Sequence, residues 1–343
     1  MTLAPVEDAR AISRIAVGLM ASKALFAALN LDLFSRLSGG AKPLETLARD
    51  SGITPNRLLT LLTACVGLGL LVRDGARRDL GEWLRCQMDR QIYPQFAQLD
   101  AALRGERLDF YRIMDDPKEA EHISRGQHVQ SLGPAHVMAK LVDLTRCAAL
   151  LDVAGGTGAF SITLCQRYPD LRATIIDFLG VVEIARRFSR EAGLEARITY
   201  LPGHVFETEW PHGQDAVLMS YLLSAVAEAN VSGLVERAFR ALRPGGQLLV
   251  HDFMLRDDGT GPAYAALGLL NALLIDPEVA PLTPGWLSRA LGAGGFINSS
   301  AQELMADTTT LMTAMKPLVG PASSRTSCSI AKTVTAMLPD RPR

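Results

Sequence analysis

Asp152 stands near the end of an apolar run, Ala148 to Val153, and the turn Gly155-Gly156-Thr157-Gly158 follows at once. An amphipathic stretch from Ala159 to Tyr168 comes next. A short buried strand, a glycine turn and a helix form a nucleotide-type binding edge, because glycine lets the backbone approach a ligand where a Cβ would stand in the way. A phosphate-cradling loop needs Gly-Lys-Ser/Thr, and no lysine follows these glycines. A dinucleotide fingerprint fits Gly156 and Gly158, then meets Ser161 where glycine or alanine is wanted. A βα turn with no ligand also stays open at this level.

Further groups could do chemistry at the ends of other apolar runs. His251 closes the run Gln247 to Phe253, and Tyr221 follows the run Ala216 to Ser220. His128 lies among Gln127 and Ser131, shortly before the glycine turn. An imidazole so placed can act as a general base or simply satisfy a core contact. No CxxC or HxxxH pair occurs and the five cysteines are scattered, so neither a metal site nor a disulfide framework is expected.

The elements that must position these groups alternate from residue 147 onward. Strand Ala148–Val153, helix Phe160–Tyr168, strand Ala173–Ile176, helix Val181–Ala192 and strand Ile198–Leu201 follow one another. Strand Ala216–Ser220, helix Ser232–Leu242, strand Gln247–Phe253 and two further helices come next, and two antiparallel strands, Ser299–Met305 and Thr309–Met315, close the series. This alternation predicts an α/β class with a Rossmann-like, doubly wound and mainly parallel sheet. Ahead of it, residues 8–38 read as one helix and Pro43 to Asp50 as a second. A third is capped by Thr54 with Pro55 at its first position, and Leu70-Leu71-Val72 runs into a hairpin at Asp74-Gly75. Helix, turn, helix and hairpin predict a winged helix. Its would-be recognition helix, Pro55 to Leu68, carries Arg57 as its one basic residue, so a buried or interface role is expected rather than groove reading. Residues 80–145 read as several helices, and Trp83, Tyr93, Phe96, Phe110 and Tyr111 serve there as core or pocket wall. Pro134 marks a helix start or kink.

The expected division is 1–80 for the winged-helix dimerisation domain, 81–146 for a helical linker lending residues to the substrate pocket, 147–317 for the ligand-binding domain and 318–343 for a loose tail. The chain has 343 residues, a formal net charge of -1 and 21% charged residues, which gives no electrostatic reason to expect nucleic acid as a partner. The opening residues show no signal peptide and the longest apolar run, Leu58 to Val72, is too short to span a bilayer. A reduced cytoplasmic protein without a membrane partner is expected. The aromatic share of 6% mildly disfavours a large flat ligand.

The stretch DVAGGTGAF, then Asp177 25 residues after Asp152, then Pro202-Gly203-His204-Val205-Phe206 and Arg243-Pro244-Gly245-Gly246, resembles the class I S-adenosylmethionine (SAM) dependent methyltransferases. With the N-terminal elements, residues 10–317 resemble the small-molecule O-methyltransferases of the caffeic acid and hydroxyindole type, which form dimers through that N-terminal part. The resemblance implies SAM as methyl donor and no metal. It implies a cofactor site at Asp152, Gly155, Gly158, Asp177, Phe178, His204, Val205, Phe206 and Ser220. In it Gly155 and Gly158 line the methionine moiety, Asp177 accepts the ribose hydroxyls, and Phe178 and Phe206 sandwich adenine. His204 stands where the family has aspartate, Ser220 where it has lysine or arginine, and Ser224 where it has its histidine general base.

Serine without a partner base cannot deprotonate a phenol. Either His251 or His128 supplies the base, or the acceptor needs none. A thioether needs none, since its lone pair attacks directly and catalysis reduces to alignment and shielding. Tyr221, Phe253 and Asp252 could then accommodate the migrating cation. The segments GQHVQSLGPA, SYLLSAV and HDFMLRDDGTGPA resemble bacterial S-methyltransferases that convert 4-methylthio-2-hydroxybutyrate to 4-dimethylsulfonio-2-hydroxybutyrate in dimethylsulfoniopropionate biosynthesis. Gln127, His128, Tyr221, His251 and Asn271 are the expected substrate ligands. The rival expectations are O-methylation of a hydroxylated aromatic or polyketide, and a non-catalytic SAM-binding or winged-helix regulator.

Overall fold

A computed structural model describes residues 9–72, 75–76, 83–104, 116–274, 276, 278–279 and 282–318. Arg73, Asp74, Arg77, Arg78, Phe110, Tyr111, Cys328 and the tail past Leu318 lie outside the described residues. The chain opens with helices α1 (Ala9–Asn30), α2 (Leu33–Leu37), α3 (Leu44–Ser51) and α4 (Pro55–Gly67). Strands β1 (Leu71–Val72) and β2 (Gly75–Ala76) pair antiparallel, as the hairpin signal predicts. The single helix expected over 8–38 breaks because Asp32 takes a left-handed conformation, φ 53°, between α1 and α2. Thr54 precedes α4 without capping it, since its hydroxyl bonds to the Asn56 side chain at 2.8 Å. Leu29, Leu33, Leu47, Leu58 and Cys65 bury the inner faces of these helices in one small core.

A wide-wound π-helix, Trp83–Ile92, leads to α5 (Tyr93–Phe96) and α6 (Leu99–Leu103), and then α7 (Pro117–Leu141). Pro134 neither starts nor ends a helix. It lies inside α7, whose first turn is capped by the Asp116 side chain accepting from the Lys118 N–H at 2.8 Å.

The remaining elements are β3 (Ala149–Val153), α8 (Ala159–Arg167), β4 (Arg172–Asp177), α9 (Leu179–Glu191), β5 (Ile198–Pro202) and β6 (Gln214–Ser220). They continue with α10 (Glu228–Ala241), β7 (Leu242–Asp252), α11 (Ala263–Leu273), α12 (Pro284–Ala293), β8 (Ile297–Met305) and β9 (Thr309–Met315). Seven strands lie in the order β5-β4-β3-β6-β7-β9-β8, with β3 to β7 parallel and β8 and β9 antiparallel. The order reverses between β3 and β6, and an α/β sheet opens its ligand crevice at such a point, outside the carboxyl ends of its strands. Leu150, Leu218 and Leu249 face one buried layer of helices, and Leu151, Val217 and Leu248 face the other. This is why the strands read as continuous apolar runs.

Arg197 ties this layer together at the foot of β4. Its guanidinium donates to the carbonyls of Cys165 (2.7 Å), Pro169 (2.6 Å), Tyr168 (3.2 Å) and Leu171 (3.3 Å), which closes the end of α8 onto the start of β4. Arg197→Met removes every one of these donors and should cost about 2 kcal/mol, the usual size for hydrogen bonds to a charged group. Urea unfolding followed by circular dichroism measures the loss.

Candidate functional site

The carboxyl ends of β3, β4, β5 and β6 open into one cleft of about 650 Å³, which continues between the glycine turn, α11 and the N-terminal helices. Asp152, at the end of β3, is fully buried and lines it. One oxygen, Oδ2, accepts from the Ser161 hydroxyl at 2.6 Å, while Oδ1 has no hydrogen-bond partner. Burial pushes the carboxyl up to about 7, against the Ser161 hydrogen bond. A Cβ on Gly155 would lie 2.6 Å from the Asp152 carboxyl carbon, so the turn closes over the carboxylate only because Gly155 has none. Gly158, expected to line the ligand, is not among the residues that line the cleft. It precedes α8 at φ 79°, and a Cβ there would meet Ile175 at 2.9 Å.

Asp177 ends β4 and faces the same cleft. Its oxygens accept from the Gly156 N–H and the Phe178 N–H, each at 2.8 Å, so this carboxylate clamps the glycine turn to the second strand. Burial raises its pKa, against both backbone hydrogen bonds. Each oxygen keeps a free lone pair, so two neighbouring hydroxyls can still donate to it.

Phe178, His204, Val205, Phe206 and Ser220 all reach the cleft. His204 adds a third ring to the pair Phe178 and Phe206 expected to border adenine. The His204 ring centroid lies 5.7 Å from Phe178 and 5.5 Å from Phe206, and its Nδ1 accepts from the Phe206 N–H at 3.3 Å. Arg237 of α10 holds this loop by donating to the carbonyls of Phe206 and Thr208.

The histidines expected as bases are the main correction. His251 is 0% exposed and does not line the cleft. Its Nδ1 meets the Ser220 hydroxyl and its Nε2 the Thr309 hydroxyl, both at 2.9 Å, and burial pushes the imidazole down to about 3. His128 also lies off the cleft. Its Nδ1 bonds to the Thr157 hydroxyl at 2.8 Å, its ring stacks on Phe188 at 4.0 Å, and burial brings it down to about 4. Both imidazoles are neutral braces, one beneath Ser220 and Tyr221, the other beneath the glycine turn. Asp252 is likewise turned away from the cleft. It is fully buried, raised to about 6 by burial, and accepts from the Ser224 N–H at 3.0 Å and the Phe253 N–H at 2.9 Å.

Gln127, Tyr221 and Asn271 line the cleft as expected, and so do Ser224 and Phe253. Tyr221 adopts φ 54°, a conformation that non-glycine residues hold only where surrounding structure imposes it. Its N–H donates to the His251 carbonyl at 2.8 Å, and its ring packs edge-on to His251 at 4.6 Å and beside Phe253 at 5.1 Å. The sequence reading missed Phe26, Met88, Gln91, Gln130, Tyr264 and Leu267 as lining residues. Nine of the chain's twenty Phe, Trp and Tyr residues line the cleft, so the low aromatic share does not argue against a flat ligand. Among the described residues no cluster of three metal-ligating side chains occurs, and no helix is long and apolar enough to cross a membrane.

The residues present fit a cationic adenosyl ligand. The unpartnered Asp152 oxygen suits an ammonium, Asp177 a ribose edge, and the three-ring face a purine. Because the folded-state carboxyl of Asp152 is raised, its contribution to stability is complete below pH 3.8 and is lost as pH rises toward 7. Asp152→Asn should therefore flatten the fall in stability of the ligand-free protein between pH 4 and 7, read from urea midpoints across that range.

Residues 78–280 match the O-methyltransferase domain, and residues 13–82 match the O-methyltransferase dimerisation domain. The tetracenomycin polyketide synthesis 8-O-methyl transferase TcmO of Streptomyces glaucescens is 30% identical over 308 residues, 83% of this chain and 90% of that one. Acetylserotonin O-methyltransferase of Bos taurus is 32% identical over 320 residues, 83% of this chain and 91% of that one. The crystal structure of human N-acetylserotonin methyltransferase in complex with SAM superposes with a TM-score of 0.79 at 25% identity, covering 92% of this chain and all of that one. With these matches across both the sheet and the helices before it, the chain belongs to the O-methyltransferase family and is a SAM-dependent methyltransferase.

Proposed function

We propose that the protein methylates a hydroxyl oxygen of a small, flat acceptor. One observation carries this reading: a single cleft runs from the Asp152–Gly155–Asp177 edge to a chamber walled by Tyr221, Phe253 and Tyr264. The relatives named for O-methylation of acetylserotonin and of a polyketide support it. SAM supplies an electrophilic methyl group on a sulfonium. Asp177 takes the ribose hydroxyls, Asp152 Oδ1 faces the methionine ammonium, and Phe178, His204 and Phe206 border the adenine. Gly158, behind the turn, shapes it without touching the ligand.

Deprotonation is left to the acceptor. Among the described residues lining the cleft, His204 is the only imidazole, and it belongs to the adenine face. Ser224 stands beside the buried Asp252 carboxylate, which accepts from both its side chain and its backbone N–H, so its hydroxyl is turned to the core and not to an acceptor. The walls therefore align an acceptor that loses its proton to solvent, and shield the transfer from water.

A second reading is favoured by the same Ser224. A thioether has no proton to lose, so S-methylation of 4-methylthio-2-hydroxybutyrate asks nothing of that position. The two readings differ in product and in pH dependence. Turnover with SAM and hydroxylated aromatic acceptors should give a methyl ether, with kcat/KM rising tenfold per pH unit up to the acceptor's own pKa. A sulfonium product from the thioether acid, at a rate independent of pH, would overturn the first reading. Asp177→Ala should weaken SAM binding about ten- to a hundredfold, as expected for lost hydrogen bonds to a charged group.

We also propose a homodimer through residues 1–80, with 81–146 and 147–317 sharing the acceptor chamber and residues 318–343 taking no part. The winged-helix order of the N-terminal elements then serves assembly. Ile15, Leu19 and Met20 of α1 are exposed, Met20 to 71%, as are Leu59 and Val66 of α4. Large apolar side chains exposed on two neighbouring helices suit an interaction surface. Sedimentation should give a dimer, and Leu19→Glu with Met20→Glu should shift it at least tenfold toward monomer.

A further inference from the structure

The acceptor end of the cleft combines two features that fix the kind of molecule it takes. Two carboxamides there hold unsatisfied atoms. Gln91, in the π-helix before α5, is only 3% exposed and its Oε1 has no hydrogen-bond partner. Asn271 of α11 carries a sealed Oδ1, also without a partner. Both residues line the cleft. A sealed polar atom left unpaired costs about 1–3 kcal/mol, so each asks for a group that a ligand can bring.

The second feature concerns charge. None of the described residues lining the cleft is a lysine or arginine, and Asp152 and Asp177 are its charged groups. Lys23, behind the Phe26 and Tyr93 rings, is held by Asp89 at 2.7 Å. A carboxylate on the acceptor would be desolvated with no lysine or arginine of the described lining to meet it and would share the cleft with two carboxylates, which is strongly unfavourable. A hydroxyl suits a carboxamide in either orientation of its amide, because it both donates and accepts.

From these two features we propose that the enzyme selects uncharged acceptors. Gln91 and Asn271 each hold a neutral hydroxyl-type group away from the oxygen that is methylated, and a described lining without lysine or arginine disfavours acids. The inference rests on the methyltransferase reading and narrows its substrate class. It weighs against the thioether acid, whose carboxylate would meet no lysine or arginine of the described lining.

The test uses calorimetry on the full chain. S-adenosylhomocysteine is titrated first, and a failure to bind would sink the methyltransferase reading rather than this one. With that ligand saturating, 1,6-dihydroxynaphthalene is compared with 6-hydroxy-1-naphthoate, which differs by one hydroxyl exchanged for a carboxylate. The diol should bind at least tenfold more tightly. Gln91→Leu and, separately, Asn271→Leu should each weaken the diol about tenfold while leaving the affinity for S-adenosylhomocysteine and the already weak naphthoate unchanged. Equal or tighter binding of the naphthoate, binding of neither acceptor, or unaltered diol affinity in both variants overturns the proposal. A variant that no longer binds S-adenosylhomocysteine has lost its fold, and the other variant then decides.

Discussion

A carboxylate sealed in a protein interior with one oxygen unpartnered is unstable as an ion until a cation arrives. Asp152 is in that state, and much of the site follows from it. Gly155 has no Cβ because the turn must close against this carboxyl group, Ser161 satisfies the other oxygen, and Asp177 fixes the turn from the neighbouring strand. The two carboxylates lie at the ends of adjacent parallel strands, in a sheet whose order reverses beside them. The strand order thus gathers like charges at one edge, and a proton or a positively charged ligand relieves them.

The histidines show how the same fold can use imidazole without using it for proton transfer. His128 bonds through Nδ1 to a hydroxyl and stacks on Phe188, His251 bonds through both ring nitrogens to hydroxyls and packs edge-on to Tyr221, and burial keeps both neutral. Each braces a residue that does reach the cleft, Thr157 in one case and Ser220 in the other. A neutral brace of this kind holds position over a wide pH range, which a titrating base at the same place would not.

Much of this was legible in the chain. The run Ala148–Val153 with its glycine turn, the placement of Asp177 at the end of the next strand, and the antiparallel close at Thr309–Met315 all follow from period, length and turn chemistry. The direction of His251 was not legible. It sits beside Ser220 in register, and side chains alternate across a strand, but a run buried on both faces carries no polar alternation to show which face a given residue takes. The acceptor wall was hidden for another reason. Phe26, Met88, Gln91 and Gln130 come from helices distant in sequence, and on those helices a lining residue has the same spacing as a core residue. Only the packing of α1 and α7 against the π-helix brings them to one chamber.

The charge asymmetry of the cleft also bears on turnover. Two carboxylates and, among the described residues, no lining lysine or arginine create a field that favours positive charge, and the aromatic walls lower the dielectric in which that field acts. Methyl transfer to oxygen removes the positive charge from the donor sulfur. The attraction that the carboxylates and ring faces exert on the donor is therefore weaker for the spent cofactor, and exchange for fresh donor is favoured without any group in the cleft having to titrate. A lysine or arginine placed there to recruit an acid would oppose the sulfonium and weaken that discrimination, so the proposed rejection of acids and the preference for the charged donor have the same electrostatic origin.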